Sequence, residues 1–361
     1  MFDITTIGSA TKDVFLLSPD FKILRNDKNL GKKDFPESEA QCFPIGAKIK
    51  IERAVFLTGG GSTNAATTFS RQDLETAALV RLGNDENADY ILEKIKKEKI
   101  SPLVIKDKKK GSDYSTILLN SSGERTVLIY YGASSGLSVS EIPFGKMKSK
   151  WVYIAPGDIF YGTIEKIFNH FHKSKTLIAF NPSRKFIDLG LKKLKPLLDQ
   201  TEVLILNLEE GAVLTGIDYK KEKEIFEKLD MVKKRIVVMT NGPKGVVVSD
   251  GRNIYRAGVF SGKIVDRLGA GDAFGSGFVA GLIRQIENCK PARPAGGPAR
   301  PAGGLKIENL PPKAVEYAIR LGSANAASVV GKIGAKEGIL TKREFNDKKW
   351  GKLKILCHTK K

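Results

Sequence analysis

Short apolar runs alternate with amphipathic stretches along most of the chain, and this alternation narrows the folds open to it. Ile4–Ile7, Ala77–Arg81, Trp151–Ile154, Leu177–Phe180, Val203–Leu206 and Ile236–Met239 read as strands buried on both faces. Between them, Ala88–Glu98, Gly162–His172 and Lys221–Lys233 carry apolar residues at helical spacing. Strand–helix alternation predicts an α/β fold with a mostly parallel central sheet covered by helices on both faces. Ligands of such sheets bind beyond the carboxyl ends of the strands, where Asn181, Asn207 and Thr240 fall.

Two segments break the pattern. Residues 11–55 hold Phe15-Leu16-Leu17, Phe21–Leu24 and Ile45–Ile51, and residues 111–131 hold Tyr114–Leu119, a Ser121–Glu124 turn and Arg125–Tyr131. Both have the period-two patterning of hairpins and are expected to form a small β-lid. Residues 1–10, 56–110 and 132–350 then form the α/β body. Within the body, residues 291–304 are two tandem copies of Pro-Ala-Arg-Pro-Ala-Gly-Gly, a composition that packs as neither helix nor strand and is expected to be a flexible surface loop.

With 361 residues, 41% of them hydrophobic, the chain can bury a substantial core. Its formal charge of +20 suits anionic ligands. The lysines, however, are dispersed in short runs such as Lys108–Lys110 and Lys192-Lys193 with no interleaved aromatics, which argues against nucleic acid as a partner. Cys42, Cys289 and Cys357 are odd in number and lack metal-ligand spacing, so reduced thiols are expected. The N-terminus enters a strand-like run at once and no apolar run reaches membrane-spanning length, so a soluble, cytoplasmic protein is expected, with no membrane partner.

The chemistry concentrates in Asp266-Arg267-Leu268-Gly269-Ala270-Gly271-Asp272. Gly269, Ala270 and Gly271 let the backbone turn tightly and aim several N–H groups at one point, and a helix starting there adds its positive end. An anion is favoured at such a point. Asp272 adds a carboxylate beside it. Phosphoryl transfer to a hydroxyl needs both parts, donors for the moving charge and a base for the attacking oxygen. The plainer alternative makes Asp272 a helix cap after a glycine turn. Three other segments belong with it. Gly59-Gly60-Gly61-Ser62-Thr63-Asn64 lets a small polar ligand approach the backbone. Asn207-Leu208-Glu209-Glu210 follows a strand and reads either as a phosphate-side polar pair or as an acidic helix start. Thr240–Gly245 is a turn between strands.

In this order and spacing the segments resemble the ribokinase (PfkB-type) carbohydrate kinase family over roughly residues 1–345. The resemblance implies a three-layer ribokinase-like sandwich with a β-lid, ATP and Mg²⁺ as cofactors, and ATP-dependent phosphorylation of a hydroxyl group of a small sugar. By the same resemblance Asp272 is the catalytic base, and the N–H groups of Gly269, Ala270 and Gly271 form the anion hole. Asn207 and Glu210 organise the nucleotide phosphates and Mg²⁺, with Glu210 acting through water. Thr240, Gly242 and Gly245 line the nucleotide, while Asp13, Gly59, Gly60 and Asn64 hold sugar hydroxyls. Asp266 falls where many members bind a potassium-like cation. Three positions depart from the pattern: Arg267-Leu268 replaces a frequent Thr-Thr, Gly61 a frequent lysine and Thr11 a frequent asparagine. The last two lie in the sugar site and put ribose itself in doubt.

Alternatives remain open on sequence grounds. A nucleoside kinase of the same fold would need an aromatic to stack on a base, with Phe15, Phe43, Tyr114 and Tyr131 as candidates. A phosphosugar kinase would use Arg125 for a second phosphate, and a catalytically silent sugar or nucleotide sensor would keep the pockets alone. An exposed lid edge can also pair two copies into a homodimer by strand addition.

Overall fold

A computed structural model describes residues 1–25, 39–120, 124–232, 235–288 and 307–360. The apolar runs assemble into one ten-stranded sheet. From one edge to the other its strands are Ser101–Lys106, Thr76–Leu82, Phe2–Gly8, Ser149–Ala155, Leu177–Phe180, Val203–Asn207, Ile236–Thr240, Val246–Ser249, Asn253–Ala257 and Ile355–Thr359. Pairing is parallel from the first of these to Ile236–Thr240 and antiparallel beyond it.

Helices cover both faces, because strands buried on both sides expose apolar side chains up and down alternately. Helices Gly61–Arg71, Ala270–Asn288 and Pro312–Val329 pack on one face through Phe69, Phe278 and Ile319. On the other face, helices Tyr161–Lys173, Gly190–Asp199 and Glu222–Val232 pack through Phe168, Leu197 and Phe226. Each such fully buried side chain contributes about 1.5–3 kcal/mol relative to exposure. The amphipathic reading of Ala88–Glu98 is realised as helix Glu86–Lys97, which starts two residues earlier and is capped by the Asp85 carboxylate, accepting from the Ala88 N–H at 2.8 Å.

The lid is a separate four-stranded sheet in the order Arg53–Gly59, Thr11–Leu17, Asp113–Leu119, Arg125–Tyr130. Its two sequence segments meet through a parallel pairing of Thr11–Leu17 with Asp113–Leu119, so they are not two independent hairpins. Ile45–Ile51 forms no strand; the partner of Thr11–Leu17 is Arg53–Gly59, which carries the lid sheet to Gly59. Burial explains the shift. The small sheet buries Phe15, Ile117 and Leu119, and Thr58 and Gly59 are the buried end of the strand that continues into the Gly59–Gly61 turn. A short pair, Lys22–Arg25 with Glu39–Cys42, lies apart from this sheet. At the other end, Ile355–Thr359 adds an edge strand to the body beyond residue 350. The Ser121–Gly123 turn residues, the 291–304 repeat and Cys289 lie outside the described residues, whereas Cys42 and Cys357 are exposed free thiols. Among the described residues no helix is long and apolar enough to cross a membrane.

Candidate active site

The end of strand Ile236–Thr240 and the start of helix Ala270–Asn288 border one cleft. Val203–Asn207 and Ile236–Thr240 pair so that Asn207 lies opposite Thr240 at their carboxyl ends. Asn181, at the end of the neighbouring strand, is spent on structure: its Nδ2 donates to the Ile205 carbonyl at 3.0 Å.

Asn207 and Glu210 form a reciprocal cap for helix Leu208–Thr215. Asn207 Oδ1 accepts from the Glu210 N–H and Glu210 Oε2 accepts from the Asn207 N–H, both at 2.8 Å. The acidic helix start read from the sequence is therefore real. It does not exhaust Glu210. Burial raises this carboxyl to about 7, and the charges of Asp272 and Glu209 push in the same direction against the Asn207 hydrogen bond. A carboxyl raised by burial and by the charge of a second carboxylate marks a place where positive charge is favourable. Mg²⁺ takes only one or two protein carboxylates with phosphates and waters, so Glu210 fits the ion although no cluster of three or more ligating side chains exists among the described residues.

Next to this pair lies a cleft of about 490 Å³ lined by Thr240, Gly242, Gly245, Arg267, Ala270 and Gly271, among others. The predicted nucleotide turn and the predicted anion hole thus border one space. Gly245 has φ +94°, and a Cβ there would meet the Ala257 carbonyl oxygen at 2.0 Å, so only glycine closes the turn. Gly269 (φ +75°) is held as tightly, since a Cβ would meet the Ala335 Cβ at 2.4 Å.

Asp272 is the third residue of helix Ala270–Asn288. Among the described residues no backbone N–H donates to its carboxylate, so it is not a cap. Its Oδ2 accepts from Asn64 Nδ2 at 2.8 Å. Burial raises its pKa, opposed first by the Asn64 hydrogen bond and then by the charge of Lys336. The first N–H groups of a helix have no intrahelical acceptor. Asp272 therefore stands between the cleft bordered by Ala270 and Gly271 and the glycine-rich turn that carries Asn64. Close helix packing fixes this position: Ser276 Oγ bonds Thr68 Oγ1 at 2.8 Å, and Asn325 Nδ2 bonds the Ala273 carbonyl at 2.8 Å.

On the acceptor side, Asp13 projects from the lid strand and is 5% exposed. A Cβ on Gly59 would meet Asp13 Oδ2 at 2.0 Å, and one on Gly60 (φ +93°) would meet the Ser9 carbonyl oxygen at 2.5 Å. Burial pushes Asp13 up to about 6, while the charge of Lys336 and a Ser115 hydrogen bond pull it down. Among the described residues Asn64 Oδ1 is buried with no hydrogen-bond partner, which leaves it free to accept. Of the four residues expected to hold sugar hydroxyls, Gly59, Gly60 and Asn64 lie along one turn with Asp13 against Gly59, and the turn reaches Asp272 through Asn64.

Asp266 is elsewhere engaged. Its Oδ1 accepts from the Leu268 N–H at 3.0 Å and from Arg125 at 3.4 Å, and its Oδ2 accepts from the Gly334 N–H at 3.1 Å. Arg125 thus brings a permanent charge from the lid to the carboxylate where a monovalent cation was expected. The same contact occupies the arginine suggested for a second substrate phosphate. None of the aromatic candidates Phe15, Phe43, Tyr114 and Tyr131 lines the cleft; Phe15 is buried in the lid and Phe43 packs edge-on against Phe21 at 5.6 Å.

Two residues were missed by sequence reasoning. Lys336, buried in the loop after helix Pro312–Val329, reaches Thr58 and Thr63 on either side of the glycine turn. Tyr153, fully buried and with no hydroxyl partner among the described residues, is raised by burial and by the charges of Asp272 and Glu210. No spacing in the sequence separates Lys336 from dozens of surface lysines. Tyr153 sits in a strand where a core aromatic is the ordinary reading.

A mostly parallel sheet is joined by a small second sheet, and the buried acid Asp272 stands at a helix start, bonded to the glycine-rich turn that carries Asn64. Residues 40–342 match the pfkB family carbohydrate kinases, and the chain belongs to that family; by class it is an ATP-dependent sugar kinase. An uncharacterized sugar kinase of Archaeoglobus fulgidus is 23% identical over 273 residues, covering 75% of this chain and 97% of its own length. The structure is similar to that of ribokinase from Giardia lamblia (TM-score 0.75, 20% identity, 96% of this chain and 98% of that one). It is also similar to a nucleoside kinase from Methanocaldococcus jannaschii (TM-score 0.71, 17% identity, 98% and 99% covered).

Proposed function

We propose that the chain transfers the terminal phosphoryl group of ATP to a hydroxyl group of a small sugar, with Asp272 as the base. The position of Asp272 carries this reading: its carboxylate is fixed by Asn64 at 2.8 Å, directly after residues that border the nucleotide cleft. Asp272 takes the hydroxyl proton as the oxygen bonds to phosphorus. The N–H groups at Gly269, Ala270 and Gly271 stabilise the charge on the transferred group. A carboxylate suffices as base because the phosphoryl group is loosely bonded in the transition state and proton loss can accompany bond formation.

Thr240, Gly242 and Gly245 hold the nucleotide, with Arg267 beside its phosphates. Glu210, positioned by Asn207, holds Mg²⁺ through water, and the ion when bound neutralises phosphate charge. Asp13 accepts hydrogen bonds from sugar hydroxyls and Asn64 Oδ1 takes another, against the bare backbone of Gly59 and Gly60. Lid closure excludes water that would otherwise compete as acceptor. Exposed apolar residues on the lid strand Arg125–Tyr130, Leu128 and Ile129 among them, support pairing of two copies through the lid, which light scattering tests. An ADP-release screen with Mg-ATP across pentoses, hexoses, nucleosides and sugar phosphates tests the function. Turnover confined to nucleosides would move the assignment to a nucleoside kinase, and no turnover of any acceptor would refute it.

A further inference from the structure

Lys336 combines deep burial with an unusual set of partners. It is 8% exposed, and its ammonium donates to two neutral hydroxyls, Thr58 Oγ1 at 3.0 Å and Thr63 Oγ1 at 2.7 Å. Among the described residues no carboxylate lies within ion-pair distance of it. A buried ammonium without a paired carboxylate destabilises a fold by several kcal/mol, so its presence needs an account beyond packing.

The two hydroxyls supply that account. Thr58 is next in the chain to Gly59, whose missing Cβ leaves room for the Asp13 carboxylate. Thr63 is next to Asn64, which donates to Asp272. Lys336 therefore ties the two ends of one turn, and each end touches one of the two acceptor-side carboxylates. Thr63 Oγ1 relays the tie by donating to the Gly59 carbonyl at 2.6 Å. The lysine is itself held, because Arg71 Nη1 bonds the Lys336 carbonyl at 3.2 Å while its other guanidinium nitrogens pair with Glu98 at 2.9 and 2.6 Å.

We infer that Lys336 is a positioning residue of the acceptor site, a buried charge that clamps the Thr58–Asn64 turn so that Asp13 and Asp272 face the same hydroxyl compound. Its field reaches both carboxylates and opposes the effect of burial on each. The inference rests on the sugar-kinase reading of the site and assigns no proton transfer to the lysine.

The test compares the full-length protein with Lys336→Met, Lys336→Arg and Thr63→Val. Lys336→Met keeps length and removes charge and both hydrogen bonds. Its kcat/KM for the acceptor is expected to fall about 10²-fold, the effect of a misplacement near 1 Å. KM for Mg-ATP should stay within about twofold, since uniform nucleotide binding is untouched. Lys336→Arg should recover part of the loss, and Thr63→Val, which removes one leg of the clamp, should show a smaller change with the same split. A merely structural lysine would move both KM values together or neither, and either result overturns the inference. Hydrogen exchange supplies a reading independent of turnover: amides of Thr58–Asn64 should exchange at least about tenfold faster in Lys336→Met, with Val203–Asn207 unchanged. If the wild type phosphorylates no acceptor, the kinase reading fails and exchange alone decides; unchanged exchange in the turn then overturns the clamp. Should Lys336→Met not fold, Thr63→Val carries both measurements.

Discussion

Replacing Asp272 by asparagine removes a base while leaving the shape of the site. The amide oxygen of asparagine can accept the Asn64 Nδ2 bond now made at 2.8 Å, and the backbone donors of Gly269–Gly271 are unaffected. What is lost is the group that removes the hydroxyl proton. General-base loss costs about 10²–10⁴ in kcat, equivalent to about 2.7–5.4 kcal/mol in the activation barrier. KM for Mg-ATP should hardly change. Stability should move the other way. Burial raises the folded pKa of Asp272, so its favourable contribution is fully present below the unfolded value of about 3.9 and is lost as pH rises through the folded value. Near neutral pH the ionised carboxylate is therefore a liability that asparagine lacks. Asp272→Asn should melt at or above the wild-type temperature at pH 7.5 and match it below about pH 4. Steady-state kinetics with a coupled ADP assay, together with calorimetry at the two pH values, check both halves. A kcat loss below about tenfold would refute the base assignment. So would a large drop in melting temperature with loss of ATP binding, which would make Asp272 structural.

Asn64→Ala frees the Asp272 carboxylate from its orienting bond, worth about 1.5–3 kcal/mol for a charged acceptor; kcat should fall about 10–100-fold with KM for Mg-ATP unchanged in the same assay. Gly245→Ala places a Cβ at 2.0 Å from the Ala257 carbonyl oxygen at φ +94°. It should cost about 1–3 kcal/mol in denaturant unfolding and weaken nucleotide binding by calorimetry, leaving sugar binding intact. Asp13, raised to about 6, loses its acceptor character when protonated, so acceptor kcat/KM should drop as pH falls through about 6 while the Mg-ATP KM does not. The same shift makes Asp13 contribute stability that is present below about pH 3.9 and lost as pH rises through about 6. Asp13→Asn should flatten the unfolding free energy across that window.

The body was legible because its strands are buried on both faces. Leu177–Phe180, for example, is bounded as read, and the others extend their runs by a residue or two. Local chemistry fixed the glycine turns as well, since Gly245 and Gly269 meet backbone and side chains that tolerate no Cβ. Assembly was not legible. Nothing local distinguishes the parallel pairing of Thr11–Leu17 with Asp113–Leu119 from a hairpin, because its register depends on residues about a hundred positions apart. Strand Arg53–Gly59 was missed for a related reason: the alternating run at Ile45–Ile51 reads as a hairpin strand by itself, and only long-range pairing, with Leu57 opposite Asp13, selects the segment further on. Lys336 is the sharpest case. A lysine after Gly334-Ala335 reads as surface, and only the contact with Thr58 and Thr63, more than 270 residues away, makes it part of the site.

The central claim is chemical transfer of a phosphoryl group to a sugar hydroxyl, and ³¹P NMR of the reaction mixture observes it directly. With Mg-ATP and the acceptor selected by the screen, a sugar phosphomonoester resonance should grow in step with ADP, slow by about 10²–10⁴ with Asp272→Asn, and stop when the metal is chelated. ADP appearing with inorganic phosphate and no phosphomonoester, or a phosphomonoester formed equally fast by Asp272→Asn, would contradict the account.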